Sequence, residues 1–235
     1  MCIWEEPLAS ERSMPMKKYN VAIDGPSGAG KSTVAKILAA RLGIKYLDTG
    51  ALYRAVGLKA MRCGWKEDDA EVEKLLADTD ISVSFAGGTQ KVFLDGEDVT
   101  DAIRGNGVSE YGSRFSALPG VRKALLGMQR KAAAENSSVL DGRDIGTCVL
   151  PDAEYKFFLT ASVDNRARRR YNELVQKGQD VTFDKVREDI IARDERDSNR
   201  PVAPLRKAED AVEINSDDMT AEEVAEKMIA CMLAK

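Results

Sequence analysis

Residues 19–43 read YNVAIDGPSGAGKSTVAKILAARLG, and this stretch decides the fold. It opens with the short apolar run YNVAID, of strand length, which is broken by a glycine-rich turn. STVAKILAARLG follows, with Val34, Ala35, Ile37, Leu38 and Leu42 at helical spacing and Gly43 where a C-cap belongs. The turn between them, GPSGAGKST, matches G-x-x-x-x-G-K-[ST] in Gly25, Gly30, Lys31 and Ser32, with Pro26, Ser27, Gly28, Ala29 and Thr33 completing the loop. Glycines let successive backbone N–H groups wrap around phosphate oxygens. The helix N-terminus adds its unpaired donors and the positive end of its dipole. In such a loop Lys31 reaches the β and γ phosphates of a nucleoside triphosphate, and the Ser32 hydroxyl ligates Mg²⁺. A glycine-rich turn can match by chance, but here a strand precedes it and a helix follows. The motif specifies a triphosphate without naming what receives the phosphate.

Outward from the loop the alternation continues. IKYLD (44–48) reads as a second strand and ALYRAVGLKAMRCG (51–64) as a second helix. Strand–helix–strand–helix predicts a parallel sheet with right-handed crossovers, hence an α/β fold. The rhythm then breaks. ISVSFAGGTQKVFLDG (81–96) alternates Ile81, Val83 and Phe85, turns at Gly-Gly, and resumes with Val92 and Leu94, the period of a hairpin. Residues 65–112 are therefore read as a β-rich insert, and 19–64 with 113–235 as the core. GVRKALLGMQRKAAAE (120–135) is a helix; SSVLD (137–141) and EYKFFLT (154–160) are strands. SVDNRARRRYNELVQKG (162–178) and TFDKVREDIIARDERDSNR (182–200) are charged helices, AVEIN (211–215) is a last strand, and TAEEVAEKMIACMLAK (220–235) closes as an amphipathic helix.

Composition narrows the chemistry. Among 235 residues there is no histidine, which excludes His acid–base catalysis, Ser-His-Asp triads and His-ligated zinc. The four cysteines are scattered and form no CxxC pair, so they read as cytosolic thiols. A net charge of −4 argues against nucleic acid as a partner, even for NRARRR (165–170), which lacks interleaved aromatics. That run reads instead as part of a mobile lid, about 165–195, carrying arginines to the triphosphate. No run approaches the length of a membrane helix, and residues 1–18 contain no apolar signal core. Those residues read as a loosely ordered extension in which Met14 and Met16 offer alternative starts. The expectation is a cytoplasmic monomer.

The acceptor is suggested by what the rest of the chain repeats. LDTGALYR (47–54) contains the Asp-Thr-Gly of an aspartic protease, yet a protease needs two adjacent carboxylates and a nearly all-β chain. Arginines instead recur beside small acidic and hydroxyl residues: Thr49 with Arg54, Arg122, DGRD (141–144) and RDERDSNR (193–200). Arg193, Asp197 and Arg200, spaced i, i+4, i+7, are expected on one helical face. RDERDSNR alone would suit a solvated charged face. Beside a phosphate loop, converging arginines suit a polyanionic acceptor and a transition state whose charge must be spread. Asp141, ending an apolar strand, is a candidate for the Mg²⁺ shell or simply a turn residue before Gly142. No base-reading Asn-Lys-x-Asp string of a GTPase is present.

IDGPSGAGKST, YLDTGALYR, DGRDIGTCVLPDAEYKFFL and RDERDSNRPVAPL, in this order, closely resemble the bacterial-type cytidylate kinase family of nucleoside monophosphate kinases. The resemblance runs from about residue 20 to the C-terminus. It implies a P-loop kinase with a parallel five-stranded core, an acceptor-binding insert and a short helical lid. The implied reaction is ATP-dependent phosphorylation of CMP or dCMP with Mg²⁺. By position, Thr49, Arg54, Arg143 and Arg200 would hold the acceptor phosphate, although the family often has Ser where this chain has Thr49. Ser113, Arg122 and Asp144 would recognise cytosine, and Arg193 with Asp197 the sugar hydroxyls. Arg169 and Arg170 would meet the ATP phosphates. Lys31, Arg143, Arg193 and Arg200 would carry the charge of transfer. A kinase of the same fold acting on UMP or another small acceptor is the alternative.

Overall fold

The computed structural model describes residues 18–65, 69–86, 89–105 and 107–234. Residues 1–17 of the N-terminal extension and the Gly87-Gly88 turn lie outside the described residues. Strand β1 (Asn20–Asp24) leads through the phosphate loop into α1 (Lys31–Leu42), then β2 (Lys45–Asp48) into α2 (Thr49–Arg62). Next come α3 (Asp69–Ala77), β3 (Ile81–Ala86), β4 (Thr89–Leu94), β5 (Glu97–Asp98), a 3-10 turn (Ala102–Arg104), α4 (Val108–Phe115) and α5 (Pro119–Glu135). The chain then follows β6 (Ser138–Gly142), a π-helical turn (Ile145–Val149), β7 (Tyr155–Thr160), α6 (Val163–Gln176), α7 (Phe183–Asn199), β8 (Val212–Asn215) and α8 (Ala221–Leu233).

The main sheet has five parallel strands in the order β2-β6-β1-β7-β8. Its register places Asp48 beside Asp141 and Asp24 beside Gly142. Three acidic residues therefore line the carboxyl edge, where open parallel sheets bind ligands. The strands read as near-continuous apolar runs because helices cover both faces. On one face α1 and α8 bury Val34, Leu38, Val224 and Met228 against Val21, Ile23, Leu159 and Ile214. On the other, Ala22, Leu47 and Leu140 meet Ala133 of α5 and Ile145. Leu140 is fully buried, so truncation to alanine there costs about 2–5 kcal/mol.

Local signals set the helix ends. Gly43 adopts φ 64 and its N–H closes onto Ala39 and Ala40 carbonyls, so the C-cap expected there is present. Asp48 N-caps α2, accepting from Ala51 N at 3.0 Å. Ser162 and Thr182 cap α6 and α7, and Thr220 with Glu223 forms a capping box on α8.

The segment between α2 and α5 is not all strand. Its antiparallel sheet, β3-β4-β5, is joined by α3, the 3-10 turn and α4. α4 runs continuously from residue 108 to 115, across the domain boundary expected at 112–113. These elements share one core with α2 and α5, built on Leu52, Val56, Leu94, Ile103, Phe115 and Val121. A Cβ on Gly57 would lie 2.7 Å from Gly112 N, and one on Gly112 would lie 2.9 Å from Arg54 Cγ. Two glycines thus bring α2 and α4 into backbone contact and set Arg54 against Gly112. Among the described residues no helix is long and apolar enough to cross a membrane.

Candidate active site

The phosphate loop is held where only glycine fits. Gly25 has φ +148, and a Cβ there would sit 1.9 Å from the Leu159 carbonyl oxygen. Gly30 is left-handed at φ 93 and starts α1 with Lys31 as its first residue. Buried Lys31 donates from Nζ to the Pro26 carbonyl at 2.7 Å. Burial, with Arg143 nearby, pulls its ammonium well below the ordinary lysine range. Ser32 Oγ donates to Asp141 Oδ2 at 2.8 Å, while the Tyr46 hydroxyl donates to Asp141 Oδ1 at 2.9 Å. Burial and the neighbouring Asp48 raise the Asp141 carboxyl. Asp141 thus stands at the end of its strand with both carboxylate oxygens accepting from hydroxyls.

Opposite the loop stand the arginines, most of them matched by an acid. Arg54 Nη2 donates to Asp48 Oδ2 at 2.6 Å, and its buried Nε has no hydrogen-bond partner. Gln90 of β4 brackets the Asp48 backbone, accepting from its N–H at 2.7 Å and donating to its carbonyl at 3.4 Å. Buried Thr49 donates from Oγ1 to the Asp141 carbonyl at 2.7 Å. Arg143 Nε donates to Asp197 Oδ2 at 2.8 Å. Asp144 accepts from Arg122 and, at 3.0 Å, from Arg200 Nη2. Arg122 also donates to the Ser116 carbonyl at 3.1 Å and lies over the Tyr53 ring. Arg193 reaches Ser113 Oγ at 3.2 Å and Ser27 Oγ at 3.4 Å, linking loop, α4 and α7.

The electrostatics record how crowded this cluster is. Burial, with Arg143 beside it, lowers the Arg193 guanidinium to about 10. Burial raises the Asp144 carboxyl, and Arg122 with Arg200 only partly opposes it. Asp197 is buried too, yet Arg143 and Arg193 hold it below the usual carboxylate range. Arg200 is the C-cap of α7 with extended backbone (ψ 141), not a member of its face. It still joins Asp144 through Nη2, while its Nε donates to the Ala203 carbonyl in the turn beyond the helix.

The two arginines expected in the lid part company. Arg169 donates to Ser216 Oγ at 3.1 Å and to the Ala29 carbonyl at 3.5 Å, so it lies on the phosphate loop. Arg170 points away and pairs with Glu173 at 2.7 Å on the exposed side of α6. Sequence reasoning missed Asp24, which accepts from Ile145 N at 2.8 Å and Gly146 N at 2.7 Å and thereby fixes the turn after Arg143 and Asp144. An acid closing an otherwise apolar strand was the available signal. Ser216 and Gln90 were also missed, and nothing in their local sequence distinguishes them; Arg166 lay inside the NRARRR run but was given no role of its own.

A phosphate loop at the carboxyl edge of a parallel sheet, faced by converging arginines, defines a nucleotide-dependent phosphotransferase. A family profile for cytidylate kinase matches residues 21–233. The cytidylate kinase of Caldicellulosiruptor saccharolyticus is 49% identical over 215 residues, 91% of this chain and 95% of that protein. The cytidylate kinase of Geobacter sulfurreducens is 52% identical over 209 residues, 88% of this chain and 90% of that protein. The chain belongs to the cytidylate kinase family. The fold is shared with a solved, uncharacterized protein from Eubacterium ventriosum, at TM-score 0.51 and 16% identity over 93% of this chain and 100% of that one.

Proposed function

We propose that the chain transfers the γ-phosphoryl group of ATP to the phosphate of CMP or dCMP, yielding ADP with CDP or dCDP. One observation carries the reading: the Arg122–Asp144–Arg200 group stands beside an arginine cluster opposite the phosphate loop. Cytosine presents an amine donor, a ring acceptor and a carbonyl along one edge. The Asp144 carboxylate takes the amine, while Arg122 and Ser113 supply donors to the acceptors. Uracil has a carbonyl where cytosine has the amine, which leaves a carboxylate facing an acceptor.

The acceptor phosphate is held by Thr49, Arg54, Arg143 and Arg200, and the sugar hydroxyls by Arg193 and Asp197. Lys31, Arg143, Arg193 and Arg200 balance charge on the γ-phosphoryl group as it moves in line to the acceptor oxygen. That oxygen is already anionic, so no strong general base is required, and a chain without histidine suffices. Arg169 holds the donor phosphates through its place on the loop. Arg170 reaches them only by leaving Glu173.

Mg²⁺ fits the Ser32–Asp141 pair, a hydroxyl and a carboxylate 2.8 Å apart at the foot of the loop. Among the described residues no group of three acidic or thiol side chains is placed to hold a metal ion. When bound, it neutralises charge on the β and γ phosphates. The deciding experiment is ADP release from ATP with CMP, dCMP, UMP and AMP in turn. Release stimulated by CMP and dCMP well above UMP and AMP supports the reading. Equal stimulation by all four, or by none, refutes it.

A further inference from the structure

Arg166 lies in the first turn of α6, inside the NRARRR run expected to carry arginines to the triphosphate but given no individual role above. Its residue is 4% exposed, so it is a buried charge in the core of the site. All its contacts are internal. Nε donates to the Ala161 carbonyl at 2.9 Å, and Nη1 donates to the Ser27 carbonyl at 3.1 Å. The same Nη1 is 2.7 Å from Asp194 Oδ2 on α7. A Cβ on Gly28 would come within 3.1 Å of Arg166 Cβ, so loop and helix touch almost backbone to backbone.

Ser27 of the phosphate loop is therefore gripped twice, its carbonyl by Arg166 and its hydroxyl by Arg193. Arg193 precedes Asp194 on α7, and Asp197 follows one turn later. A guanidinium is planar with its donors in a fixed fork, so a pair sharing Ser27 and Asp194 fixes a direction as well as a distance. The other Asp194 oxygen, Oδ1, is buried with no hydrogen-bond partner. That carboxylate is kept at an energetic cost, which suits a geometric duty.

We infer that Arg166 is a positioning residue that couples the ATP side of the site to the acceptor side. Through Asp194 it sets where Arg193 and Asp197 stand relative to Lys31. Its Nε and Nη1 are engaged by Ala161, Ser27 and Asp194, the contacts of a residue that holds loop and helix together. The inference rests on the phosphotransfer reading above, and the experiment keeps the two apart.

The full chain is assayed for CMP-dependent ADP release, and ADP binding is measured by calorimetry. Wild-type protein without CMP-dependent release would refute the reaction itself. Given wild-type activity, Arg166→Gln is expected to lower kcat about tenfold or more and raise the CMP KM about threefold or more. Its ADP Kd should stay within about twofold of wild type, because the loop donors remain. Asp194→Asn should reproduce the pattern, and the double variant should be no worse than the more impaired single one. A weakened ADP Kd with unchanged kcat would make Arg166 a direct nucleotide ligand and overturn the inference. Additive losses in the double variant would do the same. Should Arg166→Gln fail to fold, Asp194→Asn decides alone, and wild-type kcat and CMP KM there overturn the coupling.

Discussion

Asp24 offers a prediction with a defined sign. It is 3% exposed at the end of β1, where it accepts from two backbone N–H groups of the π-helical turn. Burial pushes its carboxyl from 3.8 up to about 6, the two N–H groups and Lys31 opposing only in part and Asp144 adding to the rise. Between those two values the folded chain keeps a proton that the unfolded chain has released. Stability from this group is therefore complete below pH 3.8 and declines as pH climbs to about 6, after which it stays flat. The span corresponds to about 3 kcal/mol. For a chain of this length each kcal/mol moves Tm by about 2–4 °C, so the effect is about 6–12 °C. Asp24→Asn cannot titrate and isolates it. Scanning calorimetry of both proteins at constant ionic strength should show Tm of wild type minus variant falling by about that amount from pH 3 to pH 7. A difference that stays constant, or that grows with pH, would refute the argument.

Removal of the loop charge in Lys31→Ala should lower kcat about 100–1,000-fold while the CMP KM moves less than about threefold, since the lysine acts on the transferring group. Near-normal turnover would sink that role. Asp144→Asn should shrink the CMP-over-UMP ratio of kcat/KM by about 10–100-fold, and an unchanged ratio would place base reading elsewhere. Arg169→Ala should raise the ATP KM about fivefold or more, whereas Arg170→Ala, which removes an exposed pair with Glu173, should stay within about twofold. Equal effects from the two would contradict their placement.

The main sheet was legible because period and punctuation agreed along the chain. YNVAID, IKYLD, SSVLD, EYKFFLT and AVEIN all became parallel strands, and the loop motif sat between the first strand and helix as expected. α3 and α4 were not legible. Their apolar residues face a core shared with α2 and α5, and a short amphipathic run inside a hairpin region gives no periodicity of its own. Arg193 and Asp197 were correctly placed on one helix, but the i+7 extrapolation to Arg200 ran past the cap. Residues whose value lies in long-range pairing left no trace in spacing. Gln90 finds Asp48 across 42 positions, and Arg166 finds Ser27 across 139.

The pairing of Arg54, Arg143, Arg122 and Arg200 with Asp48, Asp197 and Asp144, and of Lys31 with a loop carbonyl, has a consequence for selectivity. A site built this way carries its own counter-anions. An incoming polyanion does not add to a reservoir of bare positive charge but must exchange partners with groups already seated. A lone phosphate or chloride ion can replace one such partner but leaves the others in place. A nucleotide of the right shape trades several at once. Discrimination is thus exercised before any base is read, by the number of exchanges a ligand can complete together.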